Sequence, residues 1–175
     1  MAVFTVIDHE ELSGTTATYD VTSIPSSYDH LYLVVSARSD NASVRTDIIG
    51  KANGDTGSNY SRTLLYAGTS TVSSSRASGA SALWDLLPCP AASALADTFN
   101  TGAVWIPNYA NTANFKQFLA KSAMENNSTT DWEWKMVTGA HLWSSTAAIN
   151  QLTLYPQHGD FVQYSTFTLY GVTGA

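Results

Sequence analysis

The sequence predicts an all-β protein, an antiparallel β-sandwich of jelly-roll type with about nine to eleven strands and minimal helix. Apolar and polar residues alternate along most of the chain, which is typical of half-buried strands. Val, Ile, Thr, Tyr, Phe and Trp, which favour pleated structure, fill the alternating runs. Short segments rich in Gly, Pro and Asn separate the runs, and few segments are suited to the crossover helices of a parallel sheet.

The length of 175 residues predicts one domain, spanning residues 1–175. Residues 1–15 are expected to form an N-terminal arm or an edge strand. The clearest strand is residues 30–38 (HLYLVVSAR), where Leu31, Leu33 and Val35 share one face. The opposite face of this run is also partly apolar, so we expect a central strand. Further strands are expected at residues 43–49, 60–66, 71–77, 102–106, 115–124, 132–142, 149–155 and 165–172.

Two segments show helical features. Residues 115–124 (FKQFLAKSAM) carry apolar side chains at helical spacing but also alternate, and the strands on both sides favour a strand. Residues 91–96 (AASALA) are the one candidate for a short helix, because they follow a break at Pro88–Cys89–Pro90.

Composition excludes several functional classes. The net charge is −6 with only 8 Lys and Arg, and no basic run exists for phosphate contacts, so no nucleic acid is expected as a partner. No stretch reaches membrane-spanning length and no signal peptide is recognisable, so no membrane is expected either. Cys89 is the only cysteine and is expected to be a buried free thiol.

The loop at residues 53–61 (NGDTGSNYS) resembles a calcium loop in spacing only. Asn53, Asp55 and Asn59 alternate, but a calcium-binding EF-hand loop needs Gly at its sixth position and Glu at its twelfth. Counted from Asn53, those positions hold Ser58 and Leu64. We therefore expect a turn between strands and no metal site.

No residue pattern indicates catalysis, a cofactor or a metal, and no enzyme activity is expected. The histidines lie too far apart in sequence to form a local metal pair, and are expected at the surface or hydrogen-bonded in the core. No sharp serine elbow of the G-x-S-x-G kind occurs. Asp131 and Glu133 have a spacing that a glycosidase permits, but we expect them to be solvated acids on an outer face.

Trp132 and Trp134 alternate with Glu133 and would share one face of a strand. Three interpretations stay open: a core position, a contact between subunits, or an aromatic platform that stacks on a sugar.

Five segments in order resemble small β-rich structural proteins of tailed-bacteriophage virions, of the capsid decoration (cement) or tail-fibre-head type. This resemblance extends over about residues 20 to 172. It implies a virion protein assembled in the host bacterial cytoplasm, and no catalytic residues. The segments are SIPSSYDHLYLVVSARS at 23–39, NGDTGSNYS at 53–61, IPNYANT at 106–112, WSSTAAINQLTL at 143–154 and FTLYG at 167–171.

Two functions are compatible with this resemblance. The first is a decoration protein, expected as a homotrimer that binds the major capsid protein on the outer capsid surface and stabilises the head. The chain has no coiled-coil or repetitive shaft, which favours this role. The second is a tail-fibre or tail-tip head that binds a host surface glycan through Trp132, Trp134 and Tyr109. A glycan hydrolase using Asp131 and Glu133 is a third hypothesis.

Overall fold

The computed structural model describes residues 1–127, 129 and 134–174. The described residues form twelve antiparallel strands in two sheets and contain no helix, so the predicted all-β sandwich is confirmed. The strands are β1 Val3–Glu11, β2 Tyr19–Val21, β3 His30–Ser36, β4 Arg45–Ala52, β5 Tyr60–Ala67, β6 Val72–Ala80, β7 Leu83–Pro90, β8 Thr101–Pro107, β9 Lys116–Ala123, β10 Met136–Trp143, β11 Leu152–Pro156 and β12 Thr166–Thr173.

The two sheets differ in width. The larger sheet has eight strands in the order β1-β12-β3-β8-β9-β10-β5-β6, and the smaller has four in the order β2-β11-β4-β7. The last strand, β12, lies between the first strand and β3, with Val3 opposite Thr173 and Thr166 opposite Ser36. Two sheets of unequal width establish a sandwich, and the jelly-roll connectivity stays a prediction.

The core lies between the inner faces of the two sheets. Leu31, Leu33 and Val35 of β3 are at most 2% exposed, as their alternation predicts, and β3 is paired on both sides. Tyr19 of the smaller sheet stacks on Phe167 of the larger, with ring centroids 4.5 Å apart. Aromatic contacts of this kind join the sheets across the sandwich.

Strand β7 corrects the expected break at Pro88–Cys89–Pro90, because all three residues belong to this strand. Pro88 lies opposite Asp47, and Pro90 lies opposite Arg45. Since β7 is an edge strand of the smaller sheet, the missing proline N–H groups can point away from its one partner. Cys89 is fully buried, as expected, and burial raises the pKa of its thiol.

Residues 91–96 do not form the predicted helix. The segment turns around the guanidinium group of Arg38, which donates hydrogen bonds to the carbonyl oxygens of Leu95 (2.8 Å), Thr98 (3.0 Å) and Ala92 (3.3 Å). These carbonyl groups are directed to Arg38, whereas helix formation would direct them to backbone amides along the segment. Residues 115–124, in contrast, form strand β9 as expected.

The N-terminal segment forms edge strand β1, and β2 and β7 are further strands that alternation did not reveal. The strand predicted at residues 132–142 begins at Met136 within the described part of the chain. No helix long and apolar enough to cross a membrane is found among the described residues.

Candidate functional site: the outer face of the larger sheet

The loop at residues 53–61 is braced by the Asp55 carboxylate. This group accepts hydrogen bonds from Trp143 Nε1 (2.7 Å), Asn59 Nδ2 (2.8 Å) and the Gly57 backbone N–H (2.7 Å). Donation from Trp143, then from Asn59 and Gly57, lowers the pKa of Asp55. The carboxylate oxygens therefore connect this loop to β10.

Asn53 has an equivalent role at the start of the loop. Its Oδ1 accepts the backbone N–H groups of Asn150 (2.9 Å) and Gln151 (3.2 Å), and its Nδ2 donates to Ala148 O (2.8 Å). Gly54 follows with a φ of 64°, which glycine adopts readily. The side chains of Asn53 and Asp55 thus hold backbone groups of this loop and its neighbours in place, which is the role in a turn expected for them.

Asp55→Asn should lower the free energy of unfolding by roughly 1–2 kcal/mol, because an amide oxygen replaces a charged acceptor facing three donors. Urea unfolding at neutral pH measures this change. Millimolar Ca²⁺ should leave the melting temperature of the wild-type protein unchanged. A calcium-dependent rise that Asp55→Asn abolishes would show instead that the loop binds the ion.

Of the three aromatic residues that the sequence suggested for a sugar platform, the structure describes Tyr109 and Trp134. Tyr109 is fully buried and its hydroxyl donates to Pro25 O, so its ring is not available to a sugar. Trp134 packs on Tyr66, with ring centroids 4.3 Å apart, and the guanidinium of Arg45 lies 4.1 Å from its ring centroid. Trp132 lies outside the described residues, as do Asp131 and Glu133.

Exposed aromatic and aliphatic side chains occur instead on the outer face, which we define as the surface of the larger sheet turned away from the smaller one. One row of directly paired residues crosses this face from β1 to β6. The register of the seven strand pairs in the larger sheet defines which residues belong to it. Its members are Val6, Tyr170, Tyr32, Trp105, Leu119, Ala140, Thr63 and Arg76.

Two aromatic members of this row contact each other, and Phe4 of β1, which is not in the row, contacts Tyr32 and Tyr170. Tyr32 and Trp105 have ring centroids 6.1 Å apart, and Phe4 lies 5.8 Å from Tyr32 and 6.1 Å from Tyr170. Phe4 is 52% exposed, while Tyr32, Trp105 and Tyr170 are partly exposed. The outer face thus presents a line of aromatic rings. Sequence alternation alone indicates only that these rings lie on the side of the sheet opposite the core.

Two adjoining cavities form a groove on the outer face, called the outer groove below. The smaller, of about 250 Å³, is lined by Tyr32, Trp105, Leu119, Ala103 and Lys121. The larger, of about 560 Å³, shares Ala103 and Lys121 with it and extends toward β6. Ligand sites commonly have volumes of about 300–1,000 Å³, so the outer groove is large enough for a small ligand.

A cluster of charged residues lies on the inner side of the sandwich. Arg45 pairs with Asp47 at 2.5 Å, and Arg62 pairs with Asp85. Burial and the charge of Asp47 raise the pKa of Asp85, and both arginines oppose this shift. The paired charges compensate one another, which is the condition under which charged groups are tolerated in an interior.

His141 of β10 lies directly opposite Arg62 of β5. It is 1% exposed, and neither of its ring nitrogens has a hydrogen-bond partner in the described part of the protein. Burial, with a contribution from Arg62, lowers the pKa of His141 to about 4. The expectation of a surface or hydrogen-bonded core histidine is therefore wrong for this residue.

Comparison with protein-family models, with curated proteins and with solved structures finds no match to the chain. Within residues 1–127, 129 and 134–174, no group of three or more His, Cys, Asp or Glu side chains is arranged to hold a metal ion.

Proposed function

We propose that this chain is a structural protein of a tailed-bacteriophage virion that decorates the outer capsid surface. In this proposal it is a non-catalytic homotrimer, it binds the major capsid protein and it stabilises the head. The five ordered segments that resemble small β-rich virion proteins support the virion role. The single structural observation in favour of an assembly role is the open edge of strand β1.

Strand β1 is nine residues long and, among the residues that the structure describes, pairs only with β12. Its other edge therefore carries backbone groups with no strand partner in that part of the chain. Val3, Phe4 and Val6 are 54%, 52% and 54% exposed. A long exposed edge strand with apolar side chains is a template for pairing with another chain, and proteins that stay monomeric usually shield such edges. Strand β1 therefore suits contact with a capsid strand or with a neighbouring copy.

Copy number per virion tests the proposed location. A decoration protein should be present in hundreds of copies, measured by quantitative mass spectrometry of purified particles, and its removal should lower the resistance of capsids to heat. A copy number near a dozen would contradict capsid decoration and indicate the tail.

Replacing Val3 and Val6 together with Lys should weaken binding to undecorated capsids about tenfold, because two cations would face an interface built for apolar contact. Co-sedimentation with capsids measures the affinity. The matched control is Ser73→Lys with Ser78→Lys, which adds the same charge at exposed positions of β6 that do not line the outer groove, at the opposite edge of the sheet. Equal loss in both variants would exclude a specific role for β1.

The second candidate is a tail-fibre or tail-tip head that binds a host surface glycan. The partly exposed rings of Tyr32 and Trp105 in the outer groove favour it, since accessible aromatic faces are suited to sugar stacking. Copy number distinguishes this role from decoration.

A further inference from the structure

The outer groove combines ring faces with hydroxyl groups. Tyr32 and Trp105 line its smaller cavity, and Thr101 and Thr138 line the larger one. The C–H groups on one face of a pyranose carry partial positive charge, which matches the negative face of an aromatic ring. Threonine hydroxyl groups donate and accept hydrogen bonds, as sugar hydroxyl groups require. The groove therefore offers both kinds of contact that a saccharide uses.

Lys121 gives the groove a preference for anions. It lies where the two cavities meet, its side chain is exposed, and it makes no ion pair or hydrogen bond to any residue the structure describes. The protein as a whole carries a net charge of −6. An unpaired lysine in a largely apolar groove attracts a carboxylate more strongly than an open surface would, because the walls exclude part of the solvent.

The larger cavity is lined mainly by apolar groups, among them Leu65, Val72 and Met136. These side chains are 51%, 71% and 62% exposed, so they are available to a ligand. A sugar unit with a methyl-bearing substituent such as an acetyl group would bury apolar surface there. The cavity thus complements a substituted sugar beside the one that stacks on the rings.

We propose that the outer groove binds an acidic, acetylated oligosaccharide. Tyr32 and Trp105 stack on one pyranose ring, Lys121 pairs with the carboxylate, and the larger cavity takes the acetyl group of the adjacent unit. No residue of β1 lines the groove, although Phe4 of β1 touches Tyr32 at its margin. The proposal therefore goes beyond the capsid contact, and it rests on the second candidate function, whose ligand class it narrows.

The charge distribution distinguishes this ligand from a second copy of the chain. Two outer faces packed about a two-fold axis through the groove would bring Lys121 of one copy near Lys121 of the other. Like charges at an interface disfavour association. A carboxylate-bearing sugar would instead neutralise Lys121.

The test uses the chain of 175 residues and two probes. A hyaluronan hexasaccharide is the acidic acetylated probe, and fully N-acetylated chitohexaose is the neutral acetylated probe. Isothermal titration calorimetry at low salt should show tighter binding of hyaluronan. Lys121→Met should weaken hyaluronan binding about fivefold and leave chitohexaose binding unchanged. Lys51→Met is the control, because Lys51 lies near Tyr155 on the smaller sheet.

Trp105→Leu tests the stacking contact and should weaken binding of both probes about tenfold. Circular dichroism and thermal melting check its fold, and the exposed Lys121→Met variant remains informative if Trp105→Leu is unstable. Lack of hyaluronan binding at millimolar concentration, or equal effects of Lys121→Met and Lys51→Met, would overturn the proposal. So would self-association that Trp105→Leu abolishes, or capsid binding that requires Lys121.

Discussion

Replacing Lys116 with Met should lower the free energy of unfolding by about 3 kcal/mol, because three carbonyl groups would lose their donor. Lys116 is 1% exposed and lies on the inward face of β9. Its Nζ donates to the carbonyl oxygens of Asn111 (2.6 Å), Asn114 (2.7 Å) and Thr146 (3.2 Å). The methionine would fill the space of the aliphatic stem but leave these acceptors unpaired.

Lys121→Met is the matched control, since Lys121 lies on the same strand with its side chain exposed on the outer face. Its effect on stability should stay within about 0.5 kcal/mol, as for most surface substitutions. Urea unfolding followed by tryptophan fluorescence measures both variants. Equal stability of the two variants would show that the carbonyl groups around Lys116 are satisfied by other donors.

Acidification from pH 6.5 to pH 4 should destabilise the protein by up to roughly 3 kcal/mol through His141. Its pKa is about 4 in the folded state, against an ordinary value of 6.5 in the unfolded chain. The unfolded state therefore binds the proton first, and this contribution to stability is complete above pH 6.5 and lost as the pH falls toward 4. Urea midpoints measured across this range test the expectation.

Other titratable groups near His141, or with shifted pKa values, could also change the stability of the protein in acid. Arg62 lies opposite on β5 and pairs with Asp85 of β7, while the neighbour on β9 is the uncharged Phe118. Asp85 has the opposite effect on stability. Its pKa is raised in the folded state, so the folded state binds the proton first and is favoured as the pH falls. Asp55 and Glu125 have lowered pKa values and lose their contributions mainly below this range.

His141→Leu should remove most of the acid destabilisation between pH 6.5 and 4. At pH 7 it should be neutral or stabilising, because an apolar group of similar size replaces two unpaired nitrogens. A variant that keeps the wild-type pH dependence would assign the acid sensitivity to other groups.

The alternation of β3 and β9 was enough to predict their faces. In β9 it predicts that Lys116 and Phe118 share one face and that Leu119 lies on the other, and the structure shows that the first face is the buried one. A burial pattern of period two arises because successive side chains of an extended strand point to opposite faces of the sheet. The same pattern cannot report which strands become neighbours, so the unequal widths of the two sheets were not predictable from it.

Strand β7 and the segment at residues 91–96 show where local signals failed. Pro88 and Pro90 indicate a break, yet an edge position removes the cost of the missing donors. Residues 91–96 have helical propensity, yet Arg38, distant in sequence, binds their carbonyl groups. In both cases a tertiary partner outweighs the local preference.

The outer groove was not predicted, because its residues come from β3, β5, β6, β8, β9 and β10 and meet only through the strand order. Tyr32 and Trp105 lie far apart in the sequence, and only the pairing of β3 with β8 places the two rings side by side. The Tyr109 ring, which the alternative glycan-binding function used, lies in the core. The alternation of Trp132 and Trp134 suggested a sugar platform without indicating which rings of the chain would be exposed.

The position of β12 between β1 and β3 sets the order of events during synthesis. The larger sheet cannot join its first strand to the rest until residues 166–173 have left the ribosome. Until then β3 lacks one neighbour and β1 has none, so both expose apolar strands. Pairing across such long sequence separations is also slow. We therefore expect the larger sheet to be completed only once β12 has been synthesised, and folding to depend on chaperones or on a low concentration of nascent chains to avoid aggregation.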